Sequence, residues 1–451
     1  MSITKMRRRG GAAAGVLAAA LVLASCSSTG DAEPESSGSA GGGDDEPVEV
    51  TELTLLTGTV ETNVQIANAI VDAFNAANPD IEITVDASMP GGSEGDNLLK
   101  TRLATGDAPD MFWYNSGSLL QALNPEEQLL DISDQPFMDN VYDTFIPAVS
   151  SGSGVYGVPI EVAGGGGVFY SIPIYEELGL EVPMTWDEFV SNTKAIQDAG
   201  YDNALLQSFA DTWTSQIIML ADFYNIYAED PEWADKYTAN EASYTDTPIA
   251  SRSFEKMQDL HDEGLLNEDF ASLTFDQALE RMASGEAAQY PMLMFAIDTM
   301  VDLYPESADN IGYFAIPGDD PSKNGMTAWL PPAVYAPANT EHPEAVLRFM
   351  EYVTTPEACD ARLDQVAAGG PFVVEGCTLP DDVPRAVADM LPYFDEGRTA
   401  PALEFLSPIK GPALEQILVE VGSGIRDAGE AATLYDQDVE KQAQQLGLPG
   451  W

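Results

Sequence analysis

The sequence predicts an α/β protein built as two lobes. Three observations carry that prediction. Residues 53–57, 64–74 and 81–85 read as strand, helix and strand, the pattern of a parallel sheet with helices on its faces. The chain beyond its N-terminal leader runs to roughly 400 residues, too many for one typical core. No stretch after the leader approaches the ~20 consecutive apolar residues of a spanning helix, so the bulk of the chain is expected to fold in water.

The leader itself is legible. Lys5, Arg7, Arg8 and Arg9 precede a small apolar run over 12–24 that ends in Leu23-Ala24-Ser25-Cys26. A cationic start, a short apolar middle and small residues before the cut make residues 1–25 a secretory signal. A Cys directly after Leu-Ala-Ser resembles a bacterial lipobox, which implies that Cys26 is acylated and becomes the new N-terminus. The plainer alternative is ordinary cleavage beside an incidental Cys. Residues 26–49 are dominated by Ser, Gly, Asp and Glu and lack the apolar side chains to bury a core, so they are expected to be a disordered linker.

Charge and cysteine usage narrow the partners. Acids number 74 against 19 basic residues, for a formal charge of −55. Four of the basic residues and none of the acids precede Cys26, so the exported chain is more acidic still. That excludes nucleic acid as a natural partner and disfavours docking on an anionic membrane, leaving the lipid anchor as the expected membrane contact. Dispersed acids of this kind keep a surface solvated. Beyond Cys26 the cysteines are Cys359 and Cys377. Outside the cell a disulfide between them is expected, with two free thiols as the alternative. There is no CxxC and no zinc spacing, and neither metal nor cofactor is expected.

Further along, helices are expected over 98–105, ending at Gly106, and over 186–199 with Thr185 as N-cap and Gly200 after it. Others are read at 275–284, 343–353, 412–421 and 431–446. Strands are read at 110–114, 156–160, 168–170 and 311–316. Trp186 opens a capped helix and is read as a core side chain.

Residues 103–111, LATGDAPDM, and Tyr156-Gly157-Val158-Pro159 resemble the "ALA-x-GDAPDV" and "YGVP" stretches of the bacterial extracellular solute-binding proteins of the sugar type, the maltose- and multiple-sugar-binding kind. Pro183-x-Thr185-Trp186-Asp187-Glu188-Phe189 resembles "P-x-TWDEF", and residues 342–353 the helix "K-x-x-EAA-x-x-F-x-x-FL". The matches run in family order over nearly all of residues 50–450. The resemblance implies the two-lobed periplasmic-binding-protein fold, with chain crossovers between lobes and ligand in the interlobe cleft. It divides the chain into lobe 1 (50–162 and 327–372) and lobe 2 (163–326 and 373–451), with crossovers near 159–167 and 326–332. The partners implied are a small-molecule sugar and the membrane subunits of an ABC importer, with the protein monomeric on the outer face of the cell membrane.

A sugar needs aromatic faces for its C–H surfaces and carboxylates or amides for its hydroxyls. Sites in open α/β sheets gather at the C-terminal ends of strands. That rule selects Thr59 and Glu61 after the first strand, Tyr114 and Asn115 after the third, and Glu161 after the strand at 156–160. Positions implied by the resemblance add Trp213 and Phe295. Trp329 is a further candidate, where relatives usually have small residues, and so is Phe372, after Gly369-Gly370-Pro371. Each has a plain alternative: core for the aromatics, a solvated loop for Glu161. Asp298 reads as a cap for a helix starting at Thr299, Arg398 as paired with nearby acids, and His261 as solvated. Ser171 where relatives have Asn, and Tyr290-Pro291-Met292 where they are Gly-rich, leave the cleft's shape open.

No GxSxG, HExxH or P-loop occurs, and an enzyme is not expected. Three readings stay in view: an importer's sugar-binding protein, a binding protein for a cationic or other small solute, and an anchored glycoside hydrolase. A sensor presenting ligand to a membrane receptor is a further role for the same binding module.

Overall fold

Residues 50–367 and 369–451 are described by a computed structural model. Cys26, the signal and the linker lie outside them.

Thr51–Gly58 (β1), Glu61–Ala77 (α1) and Ile81–Met89 (β2) form the expected β-α-β unit, with β1 and β2 parallel and Leu53 opposite Ile83. Ile66, Ala67, Ile70, Val71 and Phe74 recur at helical spacing and make the buried face of α1. Asn78 ends it by donating from Nδ2 to the Phe74 carbonyl at 2.9 Å, and Pro79 cannot continue the helix. Gly92–Thr105 (α2) stops at Gly106, whose φ of 74° is the left-handed conformation a C-terminal glycine permits. Met111–Tyr114 (β3) is parallel to β1.

Gly157–Pro159 (β4) completes this first sheet, and Gly164–Ser171 (β5) begins the second, so the chain crosses between the two over 160–163. The Gly run lies inside β5, where it permits close packing: a Cβ on Gly166 would lie 2.8 Å from the Trp329 ring. Trp186–Asp198 (α3) carries a full capping box between Thr185 and Glu188. Trp186 is 1% exposed and donates from Nε1 to Asp259 at 3.0 Å, a structural residue as expected.

The second half follows with Phe275–Ala283 (α4), Gln289–Leu293 (β6), Ala296–Leu303 (α5), Ile311–Ala315 (β7), Met326–Trp329 (β8) and Ala333–Tyr335 (β9). Pro343–Val353 (α6), Pro356–Leu363 (α7), Arg385–Asp395 (α8), Thr399–Pro401 (β10), Leu414–Gly422 (α9) and Ala428–Gln445 (α10) complete the elements used below. The first sheet runs β2-β1-β3-β9-β4; the second runs β10-β8-β5-β6, with β7 also on β5. Two sheets with helices around them make the two-lobed α/β fold.

The strand β8 pairs with β5 in the second sheet, and β9, after residues 330–332, pairs with β3 in the first. Val373 accepts from the Tyr142 amide at 2.9 Å, and Cys377 is bonded to Cys359. The disulfide forms as expected, with Cα atoms 6.0 Å apart. His261 is not simply solvated: it is half-buried, with Nδ1 3.0 Å from the Gly422 carbonyl oxygen. Arg398 pairs with Glu396 at 2.8 Å, as expected.

Candidate functional site

Where the two sheets face one another there is a cavity of about 360 Å³, within the roughly 300–1,000 Å³ range of small-molecule sites. Its walls come from both lobes. Strand ends build the first: Gly58 ends β1 and Thr59 follows it, Tyr114 ends β3 and Asn115 follows it, and Glu161 comes after β4. Parallel strands aim their C-terminal ends at one side of the sheet, which is why residues 58, 114 and 161, distant in sequence, meet. Tyr114 is buried and its hydroxyl donates to Asp96 of α2 at 2.7 Å. Burial and the charge of Asp96 push that phenol well above its ordinary range, so it stays protonated and remains a donor.

Lobe 2 contributes aromatic rings. Trp213 lies on a single 3₁₀ turn, Thr212–Gln216, with its ring 5.0 Å from Phe275 and 6.3 Å from Phe295. Phe275 is buried, so Trp213 has a rigid backing and presents its remaining face to the cavity. Phe295 precedes α5, and Trp329 ends β8 against the glycines of β5. Trp213, Phe295 and Trp329 all line the cavity and are all half-buried.

Seven of the nine residues singled out from the sequence therefore meet at one cavity: Thr59, Tyr114, Asn115, Glu161, Trp213, Phe295 and Trp329. Two do not. Glu61 is exposed in the first turn of α1, beyond the strand-end wall. Phe372 is 9% exposed and packs with Val162 and Cys359, beneath the Arg362 guanidinium at 6.0 Å. The segment that carries it is pinned to the first lobe, which turns the ring inward.

Glu161 is not a solvated loop acid. Its Oε2 accepts from Arg362 Nη2 at 3.2 Å and from the Val162 amide at 3.2 Å. Its other oxygen has no protein partner among the described residues and its side chain borders the cavity. Asp298, expected as a cap, sits inside the first turn of α5 and pairs with Arg362 Nη2 at 3.0 Å.

Other polar residues of the lining were not anticipated. Lys410 pairs with Glu404 at 3.5 Å, and Glu415 accepts from Thr212 at 2.8 Å, which steadies the turn bearing Trp213. Asp96 and Lys100, one helical turn apart on α2, also face the cavity. Their signal in the sequence was only a surface-like helix pattern. Among the described residues, no group of three His, Cys, Asp or Glu could hold a metal ion.

Residues 58–358 match the family model described as bacterial extracellular solute-binding protein. The chain belongs to this family. Family members are extracellular carriers and not enzymes, which sets the hydrolase reading aside. The binding protein is 24% identical over 337 residues to the multiple sugar-binding protein of Streptococcus mutans, covering 72% of this chain and 76% of that protein. Among solved structures, the solute-binding protein RafE in complex with raffinose superposes with a TM-score of 0.70 at 23% identity, covering 88% of this chain and 100% of that one. A chitin oligosaccharide binding protein gives a TM-score of 0.73 at 18% identity, covering 88% and 100%. Likeness at these identities is likeness of fold.

Proposed function

We propose that this binding protein, acylated at Cys26 and tethered by residues 26–49, captures a mono- or oligosaccharide outside the cell and delivers it, as a monomer, to the membrane subunits of an ABC importer. The observation that carries the reading is the division of the cavity wall. The rings of Trp213, Phe295 and Trp329 suit the C–H faces of a pyranose, while Tyr114, Asn115 and Glu161 offer hydroxyl partners from the opposite lobe. The raffinose and chitin-oligosaccharide binders of the same fold support a sugar over other solutes. Lobe 1 as residues 50–162 with the returning segment, and lobe 2 as the remainder, would then close on the ligand. Calorimetric titration with raffinose and a panel of neutral sugars tests this: saturable heat is expected from at least one.

A cationic solute is the second reading. Asp96, Glu161, Glu404 and Glu415 outnumber Lys100 and Lys410 in the lining, and the aromatic rings would also hold an ammonium group. Heat with spermidine and none with any sugar would favour it.

A further inference from the structure

Arg362 belongs to α7, on the first lobe: its neighbours Ala358 and Val366 are part of the core formed by β1, α1 and α6. Asp298 belongs to α5, on the second: Ala296, Ile297 and Met300 sit in the core with Phe275 and Tyr313. Glu161 lies between them, on the segment where the chain first crosses. One guanidinium nitrogen, Nη2, donates to both carboxylates, at 3.2 Å to Glu161 and 3.0 Å to Asp298. The side chains of Arg362, Glu161 and Asp298 are 1%, 8% and 1% exposed. A second tie between the lobes lies alongside, where the hydroxyls of Thr62 on α1 and Thr299 on α5 are in contact.

We propose that Arg362 is a positioning residue for the cavity: clamped between the lobes by Asp298, it fixes the carboxylate of Glu161 so that its free oxygen faces the ligand. The guanidinium is planar and always charged, so it can hold two carboxylates in one fixed arrangement where a lysine would reach one. Nη1 donates to the Ala367 carbonyl at 3.3 Å and the Phe372 ring lies beneath, which leaves the group one orientation. The charges support the arrangement. Burial, reinforced by the charge of Glu161 and opposed by Arg362, pushes Asp298 up to about 8. At neutral pH Asp298 then holds a proton. Arg362 and Glu161 are the charged groups that act on Asp298 among the described residues.

The Glu161 half rests on the cavity being the ligand site, whereas the clamp does not. The experiment therefore has two arms on the full chain. In the first, ligand-free protein is measured by small-angle X-ray scattering as wild type, Asp298→Ala and Asp298→Asn. Asp298→Ala removes the acceptor and should enlarge the radius of gyration; Asp298→Asn keeps an acceptor for Nη2 and should restore it. An unchanged radius in folded Asp298→Ala overturns the clamp, whatever sugar is bound. In the second arm raffinose affinity is compared for Glu161→Gln, Arg362→Lys and the double variant. A positioning role predicts roughly tenfold losses in each single variant and no further loss in the double, because Arg362 acts through Glu161. Losses that multiply would show that Arg362 is only structural and overturn the proposal. Absence of raffinose binding in wild type would overturn the positioning of Glu161 for this sugar, and the first arm would decide the clamp on its own.

Discussion

The two walls of the cavity differ in chemistry. Lobe 1 brings short polar groups fixed on strand ends, such as Asn115, the Tyr114–Asp96 pair and Glu161. Lobe 2 brings wide rings, Trp213, Phe295 and Trp329, backed by buried aromatic and glycine-rich packing. Neither wall would hold a sugar alone: rings without hydroxyl partners bind any apolar surface, and hydroxyl partners in water gain little. The difference teaches that affinity depends on holding the lobes together, which gives weight to the few side chains that bridge them.

Breaking the bridge should have the largest effect. Arg362→Ala takes from Glu161 and the buried Asp298 the donor they share, and equilibrium unfolding should show a loss of roughly 3–5 kcal/mol. Removing the Cys359–Cys377 bond by a double Ser substitution acts on lobe 1 alone. A loop closed by residues 18 apart predicts a loss of ~3 kcal/mol in denaturant unfolding, with cavity affinity little changed. Trp213→Ala strips the lobe 2 wall of its best-supported ring. Sugar affinity should fall by about 2 kcal/mol, roughly 30-fold by titration calorimetry, without a matching drop in Tm.

Two further effects sharpen the contrast, one read against pH and one at a single donor. Asp298 keeps a proton in the folded chain up to about pH 8, while in the unfolded chain it is released near the ordinary value of 3.8. The folded state therefore binds the extra proton between those values, and this contribution to stability falls as pH rises through the window. The slope is at most about 1.4 kcal/mol per pH unit, and Asp298→Asn should abolish it in unfolding experiments at pH 5 and pH 8. On the lobe 1 wall, Tyr114→Phe removes only one donor, to Asp96, and should cost sugar affinity about 1 kcal/mol.

Local rules make much of this legible in the sequence. Alternation in 81–85, helical spacing in 64–74, the Thr185/Glu188 capping pair and Pro343 at a helix start each gave an element close to its final bounds. His261 reads as helical from its acidic neighbours, and the helix Pro248–Asp262 buries Ala250, Phe254, Met257 and Leu260 at helical spacing, a stripe whose bounds the charged residues between them obscure. Strand β8 escaped because Thr327-Ala328-Trp329 is short and takes its place from pairing with the distant β5. The site divided along the same line. Strand-end positions such as Thr59, Tyr114 and Asn115 follow from topology, which a sequence reveals. The link of Glu161 to Arg362 spans 201 residues and Asp298 lies 64 from Arg362, and nothing local in either position announces the meeting. With 74 acids in the chain, no single carboxylate stands out until the fold assembles its partners.

The most direct test of the account is calorimetric titration of the purified protein with raffinose and a panel of mono- and oligosaccharides, with Trp213→Ala alongside. The account predicts saturable heat from at least one sugar and a much weaker response in the variant. Silence with every sugar, together with heat from a polyamine, would contradict it.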